Sequence, residues 1–228
     1  MPPRMSPDRA TGLAAVLFDM DGLLVDSERL WLDTEHDVVG WLGGEWTAEH
    51  QKACVGGSIP RTTAYMLELT GADVSSEQIA EWLLDGMVQR LEAGVELLPG
   101  ADELLDELAA GGVPCALVSS SYRPLVDAAL RFIGADRFAL TVAGNEVVGL
   151  KPAPDPYLLA ARTLGAEPER CVALEDSPNG VASAEAAGCV TVAVPSVLPV
   201  EPTPTRTVVR SLKELSLRRL DALVRDRA

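Results

Sequence analysis

The chain has 228 residues, of which 47% are hydrophobic and 23% are charged, so one large or two smaller globular domains with a substantial core are expected. Its formal net charge of −15 disfavours nucleic acid as a partner, and no apolar run approaches the roughly 20 residues of a membrane-spanning helix. Because this charge also repels anionic small molecules, a site for one must supply positive charge locally.

Residues 1–12 contain no apolar segment, and we expect a disordered tail there. After it, apolar runs typical of buried parallel strands alternate with helical patterns. The predicted strands are Ala14–Phe18, Cys115–Val118, Leu140–Ala143, Cys171–Leu174, Val190–Val194 and Thr207–Val209. The predicted helices between them span 101–110, 122–132, 156–164 and 178–187, and another is expected from Ser211 onward. This alternation predicts an α/β fold with a doubly wound, Rossmann-like parallel sheet.

The interval between Asp26 and about Val95 contains helical patterns but no strand-like run. It predicts an all-α cap domain at residues 27–95, inserted into an α/β core made of residues 13–26 and 96–228. All four tryptophans of the chain fall in this insert, and we expect them to form its core, namely Trp31, Trp41, Trp46 and Trp82. A Trp31 that faces a substrate is the alternative.

The cysteines lie far apart and include no Cys-x-x-Cys pair, which is typical of reduced thiols in or near a core; they are Cys54, Cys115, Cys171 and Cys189. This usage favours a cytoplasmic protein. A monomer is the default expectation.

Polar side chains follow four of the predicted strands. Because ligands of open α/β sheets bind beyond the carboxyl ends of the strands, we expect these side chains to share one pocket. In chain order they are Asp19 and Asp21, the run Ser119–Ser121, Lys151, and the pair Glu175 and Asp176.

Four carboxylates in one pocket require a hard divalent cation, and oxygen ligands without nearby histidine or cysteine favour Mg²⁺ over zinc.

Lys151 lies in LKPAPDPY, whose prolines restrict the backbone, so we interpret it as a functional lysine and not a solvated one. Ser119 can offer a hydroxyl to an anion. The alternative is that Ser120 or Ser121 caps the following helix; both interpretations hold together if Ser121 is the cap and Ser119 stays free. Ser177 before Pro178 is typical of an N-cap.

The first pair of acids suits phosphoryl transfer. One carboxylate can attack phosphorus and become an aspartyl phosphate, while the other protonates the leaving oxygen and then takes a proton from water. Mg²⁺ and Lys151 would neutralise the charges of phosphate and nucleophile. Gly22, directly after Asp21, lets the chain turn sharply away.

Four segments, FDMDGLLVDSE, ALVSS, GLKPAPDPY and ALEDSPNG, resemble in order the four motifs of the haloacid dehalogenase superfamily of phosphohydrolases, in its form with a helical cap. The resemblance covers residues 13 to 195. It implies that Asp19 is the nucleophile and Asp21 the acid/base. It also implies the binding residues: Ser119 and Lys151, with Ser120 beside them, for phosphate; and Asp19, the main-chain oxygen of Asp21, Glu175 and Asp176 for Mg²⁺.

In the cap, VGGSIPRTTAYML resembles a loop whose glycine and following arginine contact the substrate, which nominates Arg61. The alternative is a solvated arginine in the first turn of a helix.

The nearest subfamilies by motif are the sugar-phosphate phosphatases and β-phosphoglucomutase. The mutase pattern has a cap lysine shortly before the loop glycine and a histidine in the helix after the first motif. Here Cys54 and Val55 precede Gly56, Lys52 is displaced, and Trp31 occupies the histidine position. We therefore predict a Mg²⁺-dependent phosphatase acting on a small phosphorylated metabolite, such as a sugar phosphate, over a phosphomutase.

A receiver-like phospho-signalling module is a remoter alternative. Such a module also combines an acceptor aspartate, a metal-binding acidic pair, a hydroxyl residue and a lysine on a doubly wound sheet. Its acceptor, however, lies on a later strand, and its chain is about half as long, without a helical insert.

Overall fold

Six parallel strands form the central sheet of the computed structural model, which describes residues 12–55 and 57–227. Residues 1–11 of the predicted disordered tail lie outside the described residues. The strands are β1 (Ala15–Phe18), β2 (Cys115–Val118), β3 (Leu140–Val142), β4 (Cys171–Glu175), β5 (Val190–Ala193) and β6 (Arg206–Val208). Their order, β3-β2-β1-β4-β5-β6, is that of a doubly wound α/β fold and confirms the predicted fold class.

The first strand lies at the centre of the sheet, between β2 and β4. Its end, Phe18, pairs with Leu117 on one side and Leu174 on the other, so three strands end at the same edge. A flavodoxin-like receiver sheet instead places its first strand beside the second and third, so the observed order disagrees with the receiver alternative.

Both faces of β1 are buried, which explains why its sequence is apolar without alternation. Val16 and Phe18 pack into the larger hydrophobic cluster on one side of the sheet. Ala15 and Leu17 pack on the other side, where alanines and the buried Tyr157 form a second cluster.

The helices predicted at 101–110, 122–132, 156–164 and 178–187 are present, and each begins and ends within one residue of its predicted bounds. Nine α-helices lie in the described residues. They are α1 (Glu28–Trp41), α2 (Ala48–Cys54), α3 (Ile59–Thr70), α4 (Ser76–Ala93), α5 (Ala101–Ala110), α6 (Arg123–Ile133), α7 (Asp155–Thr163), α8 (Pro178–Ala186) and α9 (Leu217–Arg227). The helix expected from Ser211 is a 3₁₀ turn at Leu212–Glu214, and α9 begins only at Leu217. Ser211 caps that turn by accepting from the Lys213 N–H.

Helices α1 to α4 occupy the interval predicted as a cap, and no strand lies there in the described residues. They surround a hydrophobic cluster of their own, made of Val38, Val39, Trp46, Cys54, Met66, Ile79 and Leu83. The division into domains at residues 27 and 95 stays a prediction.

Helix α4 joins this cap cluster to the main core. It buries one residue every four, which gives a continuous apolar stripe along one face. Ile79 and Leu83 pack in the cap cluster, whereas Met87 and Leu91 pack in the main core.

The expectation that the four tryptophans form the insert's core is correct only for two of them. Trp46 is buried in the cap cluster, and Trp82 packs against it. Trp41 is 65% exposed and meets Trp82 edge to face. Trp31 packs against the main core cluster instead.

All four cysteines are free and buried, as expected of thiols in a core. Among the described residues, no helix combines the length and the apolar character needed to cross a membrane.

The cap cluster predicts a large cost for truncating Leu83, which is fully buried there. Leu83→Ala is expected to lower the free energy of unfolding by about 2–5 kcal/mol, because it removes buried apolar surface and leaves a cavity. The matched control is Leu69→Ala in α3, where the leucine is 39% exposed. Urea unfolding of both variants measures the difference, and equal losses would contradict the packing described for α4.

Candidate active site

Lys151 occupies the centre of a charged cluster beyond the carboxyl ends of the central strands. Its Nζ donates to Asp19 Oδ1 and Glu175 Oε1, both at 2.6 Å, and to the Val118 carbonyl oxygen at 2.8 Å. Asp19 directly follows β1, Val118 ends β2 and Glu175 ends β4, so one side chain ties three strands together. Lys151 is only 9% exposed, and these partners compensate the buried ammonium.

The surroundings of Lys151 favour the protonated, positively charged form of its side chain. Burial by itself lowers the pKa of a lysine, but the carboxylates of Asp19 and Glu175 outweigh burial and raise the pKa of Lys151 above its usual range. The buried Tyr157 of α7 donates to Glu175 Oε1 at 2.5 Å, and its ring centre lies 5.1 Å from the lysine Nζ. Sequence analysis did not nominate Tyr157, although it is the last residue of the GLKPAPDPY motif.

Three carboxyl groups beside this lysine could hold a cation. Asp19, Glu175 and Asp176 each offer an oxygen within 4.8 Å of the others. Burial raises the pKa of Asp19 well above its usual range; Lys151 opposes this, and the neighbouring carboxylates add to it. Burial, and then Glu175, raises the pKa of Asp176 to about 7, although the Ser196 hydroxyl donates to it. One ammonium does not neutralise three carboxylates, so this group of oxygens fits a hard divalent cation.

A further sign of missing positive charge is Glu175 Oε2. This oxygen is buried and accepts no hydrogen bond from the part of the chain that the structure describes. A buried carboxylate oxygen without a partner carries a desolvation cost. A cation close to the cluster would lower that cost.

Asp21 lies apart from this cluster, and its carboxylate is surrounded by hydroxyls. Ser27 donates to Oδ1 at 2.7 Å, while Ser121 and Ser119 donate to Oδ2 at 2.8 and 3.3 Å. The chain turns at Gly22 with φ of 76°, in agreement with the predicted turn. The predicted part of Asp21 in metal binding, through its main-chain oxygen, stays a prediction.

Ser119 and Ser121, after β2, are hydrogen-bonded to each other and to Asp21, and the predicted part of Ser119 and Ser120 in phosphate binding stays a prediction. Ser119 is buried and its Oγ accepts from the Ser121 N–H at 2.9 Å, whereas Ser120 is half-buried and lines the cavity above the site. The alternative that Ser120 or Ser121 caps the next helix is wrong, because the N-cap of α6 is Tyr122 and the Ser121 hydroxyl donates to Asp21. Ser177 is an N-cap, as predicted, and accepts from the Gly180 N–H at 3.2 Å.

A cavity lies between this cluster and the cap helices. Core residues on its wall include Asp19, Asp21, Ser120, Lys151 and Asp176; cap residues include Glu28, Trp31, Glu35, Gln51, Cys54, Thr62 and Leu83. Trp31 thus lines the cavity, and the alternative that it faces a substrate stays a prediction.

Arg61 is not brought to this cavity. It is exposed in the first turn of α3 and its guanidinium donates to the Ala53 carbonyl oxygen at 3.0 Å, near the end of α2. This placement agrees with the alternative of a solvated first-turn arginine.

Comparison with known proteins decides the family. A family model described as haloacid dehalogenase-like hydrolase matches residues 16–194, which is most of the chain. The chain belongs to the haloacid dehalogenase-like hydrolases. The predicted superfamily is therefore confirmed.

Relatives of this hydrolase include sugar-phosphate enzymes. Hexitol phosphatase A of Escherichia coli (strain K12) is 36% identical over 189 residues, which cover 78% of this chain and 81% of that protein. The crystal structure of CbbY from Rhodobacter sphaeroides in complex with phosphate has a TM-score of 0.84 at 29% identity, covering 92% and 99% of the two chains. β-Phosphoglucomutase from Clostridium difficile has a TM-score of 0.81 at 20% identity, covering 94% and 98%, and shows the fold alone.

Sequence analysis of the hydrolase also missed Glu35, because its position in α1 shows no motif. Glu35 is buried in the cap, lines the cavity and accepts from Trp46 Nε1 at 2.9 Å. Burial raises its pKa to about 8; the Trp46 hydrogen bond opposes this, and the negative charge of Glu28 adds to it. The only sequence signal was a tryptophan 11 residues away, which does not reveal a contact.

Gly180 in α8 brings the backbone close to the Glu175 carboxylate. A Cβ at this position would overlap both oxygens of the Glu175 carboxylate. Any larger residue at this position would therefore displace Glu175 from Lys151 and Tyr157.

Gly180→Ala is expected to lower kcat/KM for a phosphate ester at least tenfold and to destabilise the hydrolase by about 1–3 kcal/mol, because Glu175 must move. The matched control is Gly40→Ala in α1, where a Cβ meets nothing within 4 Å. That variant should keep full activity and equal or slightly higher stability. Activity assays measure kcat/KM and thermal unfolding measures stability for both variants. Full activity of Gly180→Ala would contradict the overlap described between a Cβ at this position and the Glu175 carboxylate.

Proposed function

We propose that this hydrolase is a Mg²⁺-dependent phosphatase that releases inorganic phosphate from a small, singly phosphorylated metabolite, a sugar or sugar alcohol phosphate. The observation that carries the proposal is the contact of Lys151 with Asp19 among three clustered carboxyl groups. The family and the hexitol phosphatase relative support it. Cytoplasmic location and a monomeric state stay predictions.

In the proposed reaction, Asp19 is the nucleophile. Lys151 donates to its Oδ1, which orients the carboxylate. Attack on phosphorus forms an aspartyl phosphate and breaks the bond to the leaving oxygen. The ammonium of Lys151 also attracts the phosphate, so it supplies the local positive charge that the acidic surface lacks.

Asp19, Glu175 and Asp176, with the main-chain oxygen of Asp21, would hold the metal. The excess of carboxylate over ammonium, the raised pKa values of Asp19 and Asp176 and the unpartnered Glu175 oxygen all fit this role. When bound, Mg²⁺ supplies charge neutralisation between phosphate and nucleophile. Tyr157 and Ser196 orient two of these carboxyl groups, because Tyr157 donates to Glu175 Oε1 and Ser196 donates to Asp176 Oδ2.

Asp21 serves as the general acid and base. Its carboxylate accepts from the hydroxyls of Ser27, Ser119 and Ser121, whereas the ion pairs of Lys151 are with Asp19 and Glu175, so Asp21 is positioned by neutral donors. It protonates the leaving oxygen and then accepts a proton from the water that hydrolyses the aspartyl phosphate. Different surroundings thus separate the roles of the two aspartates.

The charge of the cavity favours hydrolysis of a monophosphate over phosphomutase chemistry. Among the described residues that line it, Lys151 is the sole cationic side chain, whereas the cap contributes the carboxyl groups of Glu28 and Glu35. A mutase must retain and turn over a bisphosphate, which requires positive charge on the cap side as well. Among the described residues, the cap side of the cavity offers no such positive charge.

Asp19→Asn is expected to lower phosphate release from a generic aryl phosphate at least 1,000-fold, on the order expected for loss of a nucleophile. The fold should persist, because the amide has the same shape and Lys151 keeps Glu175 as a partner. Asp73→Asn, at an exposed position outside the cavity, is the matched control and should keep full activity. Retention of activity by Asp19→Asn would rule out the proposed nucleophile.

Metal removal tests the cation site. Dialysis against EDTA is expected to abolish phosphate release, and Mg²⁺ should restore it, whereas Ca²⁺, which is larger and less strict in geometry, should restore much less. Mg²⁺ should also raise the unfolding temperature of the wild type more than that of Asp176→Asn, because binding stabilises the folded state. NaCl of equal ionic strength is the control. Full activity in EDTA would argue against a metal-dependent mechanism.

A further inference from the structure

Glu35 is a buried acid on the cap side of the cavity that the proposed reaction does not use. It lies in α1, is only 5% exposed, and shares the cavity wall with Lys151 and Asp19. A carboxyl group at such a position loses most of its hydration, so it needs a hydrogen-bonding role to offset the loss.

Trp46 holds one oxygen of this carboxyl group. Its Nε1 donates to Glu35 Oε2 at 2.9 Å, and both groups are buried. The indole is fixed in turn by Tyr65, whose ring centre lies 5.8 Å away edge to face, and by His50 at 5.4 Å. The Glu35 side chain therefore has a defined position, which a residue that recognises a ligand requires.

The other oxygen, Oε1, has no protein partner in the described chain, although the side chain lines the cavity. Gln51, another polar residue of the cavity wall, donates its Nε2 to the Glu28 carbonyl oxygen and not to Glu35. Glu35 Oε1 is thus a hydrogen-bonding atom that a bound molecule can reach opposite the phosphate end of the cavity.

The charge around Glu35 defines which ligand group fits. A second phosphate or a carboxylate would find no cationic side chain on the cap side among the described lining residues, and the carboxylate of Asp21 would repel it. Burial raises the Glu35 pKa to about 8, so near neutral pH the group is mostly uncharged and suits a neutral partner better than an ammonium. An alcohol hydroxyl, which both donates and accepts, matches it.

We propose that Glu35, positioned by Trp46, is a specificity-determining residue that hydrogen-bonds a hydroxyl on the carbon chain of a neutral polyol monophosphate. This inference rests on the proposed phosphatase function and names the substrate class of the same site. Glu35 selects hydroxylated substrates and takes no part in breaking the phosphorus–oxygen bond.

The experiment compares three monophosphates: a hexitol phosphate, hexyl phosphate of equal chain length without hydroxyls, and 4-nitrophenyl phosphate for the chemistry alone. Wild type should prefer the hexitol to the hexyl ester in kcat/KM. Glu35→Leu should lower kcat/KM for the hexitol ester at least tenfold, whereas its kcat/KM for the nitrophenyl ester should stay within about threefold of the wild-type value. Glu35→Gln keeps an acceptor for Trp46 and a donor for the hydroxyl, so it should recover most of the preference.

Two further variants serve as controls. Glu68→Leu makes the same change at an exposed cap position outside the cavity and should leave all three rates unchanged. If Glu35→Leu does not fold because the Trp46 N–H loses its acceptor, the double variant Glu35→Leu/Trp46→Phe removes both partners together. The ratio of its kcat/KM values for the hexitol and hexyl esters then gives the same test.

The outcomes separate the two proposals. Hydrolysis of nitrophenyl phosphate without preference for the hexitol ester, or a preference that survives in Glu35→Leu and in the double variant, overturns the role of Glu35 and leaves the phosphatase intact. A wild-type preference for bisphosphates or amino sugar phosphates likewise overturns it. Failure to hydrolyse any of the esters with Mg²⁺ overturns the proposed function and this inference with it.

Discussion

The buried ammonium of Lys151 is the interaction on which the site depends. It bonds an aspartate at the end of β1, a glutamate at the end of β4 and a carbonyl at the end of β2, so it links the three central strands at one edge. Removing a charge from water is expensive, and the lysine tolerates it only because two carboxylates accept from it directly. The same contacts keep Asp19 in a fixed orientation at a buried position.

The compensation is incomplete, and this imbalance is what gives the site its chemistry. Three carboxyl groups face one ammonium, the pKa values of Asp19 and Asp176 are raised mainly by burial, and one oxygen of Glu175 has no partner in the described residues. A cation would relieve all three conditions at once. Gly180 leaves Glu175 the space it needs, so the packing of α8 serves the electrostatics of the site.

The cap side of the cavity is built on a different principle. It offers apolar surface, an indole and the carboxyl groups of Glu28 and Glu35, and its buried acid is held by Trp46 instead of by a cation. In the proposed reaction, phosphate binding and recognition of the rest of the substrate are thus separated across the cavity. Helix α4 connects the two sides physically, since its single apolar stripe packs in both hydrophobic clusters.

The sequence by itself determined the sheet, the four motifs and the acidic and basic residues at the strand ends. Apolar runs buried on both faces have a local signature, and parallel strands bring their carboxyl ends to one edge, so the meeting of Asp19, Lys151 and Asp176 followed from order along the chain. Only the tertiary structure decided that Ser121 bonds Asp21 instead of capping α6, that Arg61 lies outside the cavity, and that Trp31 and Glu35 line it. These outcomes depend on which face a helix presents after packing and on contacts between residues such as Glu35 and Trp46, neither of which a linear pattern contains.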